Sequence, residues 1–414
     1  MRLITIFLLI FSFNLNNHVF TQSGWVQQYT GINSLLYNTH FVDLNTGFAC
    51  GGFPSVILKT TNSGINWTIQ NFPAISSFEA IYFISSSVGF VSSNYGQILK
   101  TTDSGLNWVL SYTDSTAAFR CFSFINTSTG YSSGYNGKLI KTTNAGINWL
   151  ALNTNSQFDL ESVEFVTQNE GFLASDSGTI YKSTNSGTNW QIVRTIQGEQ
   201  FYTIDFLNSN TGYVAGANGL ILKTTNSGFN WSQQNSGFVG TIYMINLTST
   251  DTGYVIGSSG TIKKTLNGGL TWNLQVSGVS IVLSGLYMLN NNTGFAVGGN
   301  GLILKTTDGG GAFVGITNIT GEIPKYFHLF QNYPNPFNPS TTIRFNIPAT
   351  SSVVHTFLSV YDLLGRKVAT LVNQQLAPGT YSANWNATNH PSGVYLYRLT
   401  SGEFTATNKM VLIK

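Results

Sequence analysis

The chain has 414 residues, a net charge of +3 and charged side chains at only 8% of its positions. This length leaves room for one large domain and a small one, and since the sequence has no basic stripe we expect no nucleic-acid partner. Aromatic residues make up 14% of the chain and glycine 43 positions, which excludes intrinsic disorder and predicts an all-β protein with many turns.

The N-terminus is typical of a secretory signal. Arg2 precedes an apolar run from Leu3 to Phe13, which is too short to span a bilayer comfortably and is followed by a polar stretch. We expect a signal peptide over residues 1–21, with cleavage near Gln22; a buried first strand is the alternative. No other segment of the sequence is apolar enough to cross a membrane.

A period of 41 residues governs the following part of the chain. Trp25 stands one step of 42 residues before the series and Phe313 one step of 41 after it, and the members between them are Trp67, Trp108, Trp149, Trp190, Trp231 and Trp272. A period in this range is typical of a ring or stack of small structural units.

Each period contains three β segments and the start of a fourth. In the period 196–236, Phe201–Phe206 alternates like a half-buried strand, Tyr213–Gly216 is a second strand, and the turn pair Asn218-Gly219 precedes a third strand at Leu220–Thr224. Four short antiparallel strands per period predict a propeller blade. The frame recurs on one hairpin glycine per blade: Gly47, Gly89, Gly130, Gly171, Gly212, Gly253 and Gly294.

The ends of the repeat array predict how the ring closes. Trp25 begins an outer strand that has no blade before it, and the last repeat has no proper outer strand of its own. An N-terminal strand that completes the seventh blade leaves no open sheet edge across the ring. We therefore expect a seven-bladed β-propeller over residues 22–313, closed by the N-terminal strand, and a monomer. Cys50 and Cys121 fall in its first and third blades, so we expect two free, buried thiols.

A turn motif of the form Ser/Thr-x-Asp-x-Gly-x-Thr/Asn-Trp follows the third strand of every period. It recurs at residues 60–67, 101–108, 142–149, 183–190, 224–231, 265–272 and 306–313. The acidic position is Asp only at Asp103 and Asp308 and is Asn elsewhere. A short side-chain oxygen caps turn amides whether it belongs to Asp or Asn, Gly supplies the positive φ, and Trp packs between blades. We therefore expect a structural role for the motif, and neither a metal nor a cofactor.

The motif resembles the Asp-box, or BNR-like, repeat of the sialidase and related β-propellers. Together with the strand after each hairpin glycine and the Ile-Leu-Lys-Thr-Thr run, the repeats resemble the photosystem II assembly-factor propellers, which implies the fold. The cyanobacterial and plastid members of that family present an arginine-rich basic patch, whereas this ring has only Arg120 and Arg194. We therefore do not extend the photosynthetic role to this chain.

A different module follows a linker over residues 314–326. Short alternating strands between turn signals predict a small Ig-like β-sandwich over residues 327–414. The module carries three sequence signatures, whose residues are Tyr333, Pro334, Asn335, Pro336 and Phe337, then Gly365 and Arg366, and finally Lys409, Met410, Val411 and Leu412.

These signatures resemble, in order and over the whole module, the type A C-terminal sorting domain of the type IX secretion system of Bacteroidetes-like bacteria. The resemblance implies that the folded protein crosses the outer membrane with the type IX machinery as its partner. It implies a secreted or cell-surface protein, a sorting domain that is often removed, and for some cargo an attachment to surface lipopolysaccharide.

Candidate ligand-binding residues lie where the repeats differ from one another. The position six before the hairpin glycine is always apolar, whereas the position ten before it varies: Tyr37, Glu79, Arg120, Glu161, Tyr202, Tyr243 and Ser284. The loops between second and third strands add Phe53, Tyr95, Tyr135 and Asp176. Ligands of propellers occupy the central mouth that such positions line. Two interpretations remain open: a pocket that stacks on sugar rings or holds a peptide, and a hydrated mouth in which Arg120 only neutralises two glutamates.

Three functions fit the sequence. The first is a secreted or cell-surface, non-catalytic binding propeller with a glycan or protein ligand, and the second is a structural or adhesive surface protein. The third is a xyloglucanase-like glycoside hydrolase, which needs paired carboxylates across a cleft, as Glu79 and Glu161 would provide. A sialidase needs three arginines around a carboxylate and is excluded. His40 is the only histidine of the ring, so we predict no catalytic residue of a Ser-His-Asp triad and no metal ligand.

Overall fold

The computed structural model describes residues 24–73, 77–311, 317–320, 324–348, 354–376, 378–388 and 390–414. The predicted signal peptide over residues 1–21, the tryptophan-equivalent Phe313 and part of the predicted linker lie outside the described residues. Within the described residues, no helix is both long enough and apolar enough to span a bilayer.

The described part of the repeat region forms seven four-stranded antiparallel sheets. The strands are β1 (Val26–Gln28); β2 (Leu35–Phe41), β3 (Gly47–Gly52), β4 (Val56–Thr60) and β5 (Thr68–Ile69) of blade 1; β6 (Phe78–Phe83), β7 (Gly89–Ser93), β8 (Gln97–Thr101) and β9 (Val109–Thr113) of blade 2; β10 (Phe119–Phe124), β11 (Gly130–Gly134), β12 (Leu139–Thr142) and β13 (Leu150–Leu152) of blade 3; β14 (Leu160–Phe165), β15 (Gly171–Ser175), β16 (Thr179–Ser183) and β17 (Gln191–Thr195) of blade 4; β18 (Phe201–Phe206), β19 (Gly212–Gly216), β20 (Ile221–Thr224) and β21 (Ser232–Gln234) of blade 5; β22 (Ile242–Leu247), β23 (Gly253–Gly257), β24 (Ile262–Thr265) and β25 (Asn273–Gln275) of blade 6; and β26 (Leu283–Met288), β27 (Gly294–Gly298) and β28 (Ile303–Thr306) of blade 7. Short 3-10 turns join the second and third strands of blades 5, 6 and 7 at Ala217–Gly219, Ser258–Gly260 and Gly299–Gly301.

The N-terminal strand closes the ring. β1 pairs antiparallel with β28, in the register Val26 opposite Lys305, so the seventh blade takes its outer strand from the start of the chain. The backbone N–H of Gly24 donates to a carboxylate oxygen of Asp308 at 3.0 Å, which fixes the entry of this strand against the last Asp-box. This confirms the predicted fold, a seven-bladed β-propeller closed by its N-terminal strand. The two cysteines are free as predicted; Cys50 is buried, whereas Cys121 is half-buried.

Each of the first six Asp-boxes is a hydrogen-bonded turn that ends in a tryptophan packed at the seam between two blades. In blade 5, the Thr224 hydroxyl accepts the backbone N–H of Gly228 at 2.9 Å, and Asn226 Oδ1 accepts the N–H of Asn230 at 2.9 Å. Trp231 then lies edge-on to Phe172 of blade 4, with ring centroids 6.4 Å apart. Edge-to-face aromatic pairs of this kind stabilise a core beyond their buried area. The turn therefore holds the seam between two blades.

The lysine at the end of each third strand forms a hydrogen bond to the next blade. Its ammonium donates to a backbone carbonyl oxygen of the Asp-box one blade further on, as Lys182 does to Ser227 at 2.8 Å. The same contact crosses the closure of the ring, where Lys305 of blade 7 donates to Ser63 of blade 1 at 2.7 Å. Each ammonium also lies over an aromatic ring, for Lys182 that of Phe172 at 5.4 Å. These lysines are used for blade packing.

The described C-terminal residues form two four-stranded sheets over one core. The strands are β29 (Thr317–Thr320), β30 (His328–Leu329), β31 (Ser340–Ile347), β32 (Val354–Tyr361), β33 (Lys367–Leu376), β34 (Gly379–Asn386), β35 (Gly393–Ser401) and β36 (Phe404–Leu412). The strand order is β29-β34-β31-β30 in one sheet and β33-β32-β35-β36 in the other. Phe345 and Trp385 of the first sheet and Tyr397 and Met410 of the second belong to the same buried cluster. This arrangement is the predicted β-sandwich.

Candidate functional site

A β-bulge marks the variable position of every blade. The pairing of the two innermost strands shifts register there; in blade 3 the shift falls between Phe119 and Cys121 and leaves Arg120 outside the ladder. The same shift leaves out one residue in each of the other blades: Tyr37, Glu79, Glu161, Tyr202, Tyr243 and Ser284. A bulge places an unpaired residue on the strand and re-aims its side chain. The seven variable side chains are therefore presented by the same backbone device.

The exposure of the innermost strands agrees with this geometry. Along β14, the residues are buried except for two half-buried positions, Glu161 at the bulge and Glu164 three residues later. Strands β6, β18 and β26 repeat the pattern. The innermost strand of a propeller blade borders the central channel. Each of these strands therefore places two side chains at the channel. The side chain at the bulge is the one nearer to the mouth.

Arg120 forms the centre of a charged cluster across blades 2, 3 and 4. Its Nη1 lies 2.7 Å from Glu79 Oε2 and its Nε lies 3.4 Å from Glu161 Oε2. Its Nη2 donates to the hydroxyl of Tyr135, and the guanidinium carbon lies 4.7 Å from the centroid of that ring. We refer to Glu79, Arg120, Tyr135 and Glu161 as the arginine cluster. One cation is shared by two carboxylates, so the cluster as a whole carries excess negative charge when both are ionised.

Burial dominates the acid–base behaviour of the arginine cluster. It raises the pKa of Glu161 to about 7; Arg120 opposes this shift, while Asp159, Asp176 and Glu79 add to it. Burial lowers the pKa of Arg120, but the two glutamates outweigh it and the net shift is upward. Arg120 therefore stays protonated at every physiological pH, whereas Glu161 changes charge near neutrality.

Tyrosines continue the ring beyond the arginine cluster. Tyr202 and Tyr243 of blades 5 and 6 have centroids 5.7 Å apart and rings tilted by 47°, and the Tyr202 hydroxyl donates to Gln200 Oε1 at 2.6 Å. Burial raises the pKa of Tyr202, with further contributions from Glu161 and Tyr243. Burial and the charge of Glu79 raise the pKa of Tyr37 on the other side. Aromatic faces therefore border the charged residues on both sides.

The loop candidates fall into two groups. Tyr135 belongs to the arginine cluster, and Asp176 lies close enough to it to raise the pKa of Glu161. The backbone N–H of Asp176 donates to Asp159 at 3.1 Å, while its Oδ1 is buried without a hydrogen-bond partner. Phe53 and Tyr95 instead stand exposed, at 69% and 62% of their surface. Among the described contacts, neither of these two rings touches the arginine cluster.

The sequence analysis missed a second ring of channel residues, three positions after each bulge. Polar members of this ring accept the backbone N–H of the next blade, as Glu164 Oε2 does from Phe206 at 2.8 Å and Asn246 Oδ1 from Met288 at 2.8 Å. Asp205 accepts the N–H of Leu247 in the same way. Burial raises the pKa of both Glu164 and Asp205.

A comparison of the repeats at that register would have found the second ring, because it is as diverse as the bulge position. Its members are His40, Tyr82, Ser123, Glu164, Asp205, Asn246 and Tyr287. His40 is packed between the rings of Tyr82 and Tyr287, with centroids 4.7 Å from each. Burial lowers its pKa to about 3, so this histidine is a neutral packing residue.

In the C-terminal domain, most signature residues hold the last strand in place. The backbone N–H of Phe337 donates to Val411 at 3.0 Å, and Ile413 donates back to Phe337 at 3.0 Å. Asn335 Oδ1 accepts the N–H of Val411 at 2.9 Å. The Pro334 carbonyl accepts the Thr341 hydroxyl at 2.8 Å. The buried signature side chains are Phe337, Met410 and Leu412.

The remaining signature residues lie at the surface. Tyr333 is exposed, and the Lys409 side chain is exposed while its carbonyl accepts Gln331 Nε2 at 2.8 Å. Gly365 and Arg366 belong to the turn that joins β32 to β33. The run therefore fastens the last strand through its hydrogen bonds and the Phe337 ring, while the side chains of Tyr333, Pro334, Asn335 and Pro336 are exposed.

The fold and its channel define a class of protein, an Asp-box β-propeller with a C-terminal β-sandwich. Residues 65–199 and 225–324, more than half of the chain, match the model of the photosynthesis system II assembly factor YCF48, and the protein belongs to this family. Residues 331–414 match the secretion system C-terminal sorting domain.

Solved structures agree on the propeller. A YCF48 structure bound to a D1 peptide is 18% identical with a TM-score of 0.60, covering 69% of this chain and 97% of that one. YCF48 from Cyanidioschyzon merolae is 18% identical with a TM-score of 0.59, covering 69% and 98%. The WD40 propeller domain of Doa1 is 11% identical with a TM-score of 0.60, covering 68% and 96%. These likenesses show the fold alone. No curated protein sequence matches the chain.

The sorting domain fixes the export route. It marks the protein as cargo of the type IX secretion system, which delivers it to the cell surface or the surroundings. The machinery of that system is therefore a partner of the C-terminal domain. The predicted signal peptide agrees with this route, although its residues lie outside the described part of the chain.

Proposed function

We propose that the protein is an exported, non-catalytic binding propeller that holds a glycan or a segment of a protein chain at its mouth. The bulged ring is the observation that carries this proposal. At the other conserved registers the blades repeat the same residue type, whereas the bulge presents seven side chains that include charged, aromatic and hydroxyl groups. Chemical diversity at a position that the fold does not need for packing supports a role in binding.

The arginine cluster indicates what kind of ligand fits. Nη1 and Nη2 of Arg120 donate to Glu79 and Tyr135, and its Nε is ion-paired with Glu161, so the charge of the guanidinium is already countered by two carboxylates. The groups that remain are carboxylate oxygens and tyrosine rings. Such groups bind hydroxyl-rich or amine-bearing ligands, by accepting hydrogen bonds and by stacking. Sugars and peptides with basic side chains both meet this description.

The family supports a peptide as one form of the ligand. A solved YCF48 propeller was obtained with a D1 peptide bound, so a propeller of this family can hold a peptide. The photosynthetic role itself is not part of the proposal, because this ring has only Arg120 and Arg194 in place of an arginine-rich patch.

A glycoside hydrolase is the second candidate, and the pKa of about 7 for Glu161 favours it. A general acid of this reaction must be protonated near neutral pH while a second carboxylate is ionised. Against this candidate, the guanidinium of Arg120 lies between Glu79 and Glu161, where a sugar would have to enter. A purely structural or adhesive role is less well supported, because it does not explain why the residue at the bulge position varies between blades.

Arrays of glycans and of basic peptides, probed with the full chain, test the binding proposal. We expect binding to one class, at least a tenfold loss in Tyr95→Ala and Tyr202→Ala, and unchanged binding in Phe229→Ala. Phe229 is a matched control because it is exposed on an Asp-box turn, at the opposite end of the strands from the mouth. Absence of binding to both arrays would favour the structural candidate. Sugar release from a polysaccharide that Glu161→Gln abolishes would favour the hydrolase.

We further propose that the exported protein is a monomer, since the ring closes on itself, and that its surface-bound form is attached to lipopolysaccharide. Light scattering of the purified chain should give the mass of one copy. Cell fractionation should find the surface form in a lipopolysaccharide-bearing band of increased mass. A dimer in the first experiment, or surface protein of unmodified mass in the second, would contradict the respective proposal.

A further inference from the structure

A turn in the sorting domain exposes two adjacent leucines. It joins β32 to β33 over Asp362–Arg366, and Leu363 and Leu364 expose 69% and 79% of their surface. Turn tips are ordinarily built from small and polar residues, and burying a leucine side chain stabilises a folded structure. In this domain two neighbouring leucines remain exposed and do not contribute such stabilisation. Adjacent exposed apolar side chains are typical of a surface that another molecule covers.

The turn is held in a defined shape, so the leucines are presented rather than loosely exposed. Asp362 Oδ1 accepts the N–H groups of Leu364 and Arg366, each at 3.0 Å, and its Oδ2 accepts Nε of Arg366 at 2.7 Å. The Asp362 N–H donates to the Arg366 carbonyl at 3.0 Å. Gly365 has φ of +78°, a conformation that side chains disfavour. A pre-organised tip loses little entropy when it binds.

The register of the sheet brings the end of β36 to the same edge. Tyr361 pairs with Leu396 on β35, and Gly393 at the start of β35 pairs with Leu412. The turn therefore lies at the same end of the sheet as the last residues of β36. The two are separated by two strand spacings, or about 10 Å. Ile413 and Lys414 lie exposed at that end. We refer to Leu363, Leu364, Arg366, Lys367, Ile413 and Lys414 as the leucine-turn surface.

Three basic residues of the domain, Arg366, Lys367 and Lys414, belong to this surface. Between residues 324 and 414 the sequence has seven basic residues and two acidic ones, Asp362 and Glu403. Asp362 is occupied by Arg366, and Glu403 lies in the turn between β35 and β36 at the opposite edge, next to the pair Ser401–Phe404. Lys367 therefore accompanies the leucines, while the Lys414 ammonium donates to the Thr388 carbonyl at 2.6 Å. A partner surface that matches is an apolar pocket with carboxylates on its rim.

We propose that the leucine-turn surface is the site at which a protein receptor of the type IX machinery grips the folded cargo, through such an acidic-rimmed apolar pocket. The proline-asparagine-phenylalanine signature then serves to fasten the segment to β36, as its hydrogen bonds show, and the turn serves recognition. This inference rests on the export route and is independent of what the propeller mouth binds.

Secretion of the full chain from a bacterium with a type IX system tests the inference. In Leu363→Ser/Leu364→Ser we expect at least a tenfold fall in the secreted fraction, with protease-resistant protein retained in the cells. Leu363→Met/Leu364→Met keeps the apolar tip and should be secreted within twofold of the wild type. Ile65→Ser/Ile147→Ser, which changes two leucine-like exposed residues on the propeller, is the matched control and should also be secreted normally.

A second pair of variants tests the charge. Lys367→Glu should lower secretion at least threefold, while Lys325→Glu makes the same change of charge at an exposed residue outside the surface and should not. Secretion of the serine variant within twofold of the wild type, or equal losses in the two lysine variants, would overturn the proposal. If the purified wild type bound vesicles of anionic phospholipid and the serine variant did not, the surface would recognise lipid and the receptor proposal would also be overturned.

Discussion

The two ends of the propeller strands follow opposite rules. At the Asp-box end, the same contacts recur from blade to blade: a hydroxyl caps a glycine N–H, a tryptophan enters the seam, and a lysine reaches the next box. At the mouth end, one bulge recurs but carries side chains of different chemistry, such as those of Glu79, Arg120 and Tyr243.

The difference shows how a repeat protein separates stability from recognition. At the Asp-box end, the contacts that hold neighbouring blades repeat the same geometry from blade to blade, so their residues converge. A bulged residue lies outside the ladder, and its side chain is free to differ without a cost in strand pairing. The predictions below test this division, from the largest expected effect to the smallest.

Removing a seam tryptophan should destabilise the ring most. In Trp231→Ala we expect a loss of about 3–5 kcal/mol in the free energy of unfolding, because a large buried aromatic side chain leaves a cavity. Urea unfolding of the full chain measures it. Phe229→Ala, two residues earlier and exposed, is the control and should change stability by about 0.5 kcal/mol or less. Similar losses in both variants would contradict the division between seam and surface.

At the mouth, Arg120→Ala should cost about 3 kcal/mol at pH 8, because two largely buried carboxylates lose their counter-charge. The loss should shrink at pH 5, where Glu161 is protonated. Adding Glu161→Gln to this variant should restore part of the stability at pH 8. Arg194→Ala, on an exposed outer strand, should be neutral. A loss of equal size at both pH values would show that packing, rather than charge, makes Arg120 important.

The pH dependence of the wild type should have a defined sign. Burial raises the pKa of Glu161 to about 7, above its value in the unfolded chain, so the folded state binds the proton more tightly. The stabilisation is therefore fully present below about pH 4.3 and is lost as the pH rises through about 7. For this residue the full loss is about 3–4 kcal/mol, at about 1.4 kcal/mol per unit of pKa. Glu161→Gln should flatten the stability profile between pH 5 and 8; an unchanged slope would refute the assignment.

The smallest effect is expected for an exchange of Asn and Asp in an Asp-box. Asn226→Asp keeps the side-chain oxygen that accepts the N–H of Asn230, so the thermal midpoint should move by about 2 °C or less. Asn226→Leu removes the acceptor and should lower the midpoint clearly more. Equal midpoints for the two variants would show that the cap contributes nothing to the seam.

The sequence was sufficient for the fold because the fold is periodic. The 41-residue spacing of the tryptophans predicted the number of blades. The unpaired outer strand at Trp25 predicted the closure on β28. For the candidate site, the sequence predicted only which position of each repeat varies. Alignment of repeats identified the position of Glu79, Arg120 and Glu161, but a linear comparison contains no information on which side chains meet across blades.

Three features required the tertiary structure. The bulge at each variable position depends on how two strands pair, and a sequence of alternating residues does not reveal a register shift. The register of the second channel ring, with Glu164 and Asp205, can be found by comparing repeats, but its hydrogen bonds to the next blade, 42 residues further on, cannot. The exposure of Leu363 and Leu364 was not apparent from the sequence, because it depends on which side chains the neighbouring strands cover.

The sequence by itself determined the seven-bladed ring, its closure and the export domain, because each depends on spacing and residue type along the chain. Only the tertiary structure decided that Arg120 contacts Glu79, Glu161 and Tyr135, and that Leu363 and Leu364 stand exposed. The physical reason is the same in both cases. Charge neutralisation and burial depend on what surrounds a side chain in space, and neighbours from other blades or strands are distant in the sequence.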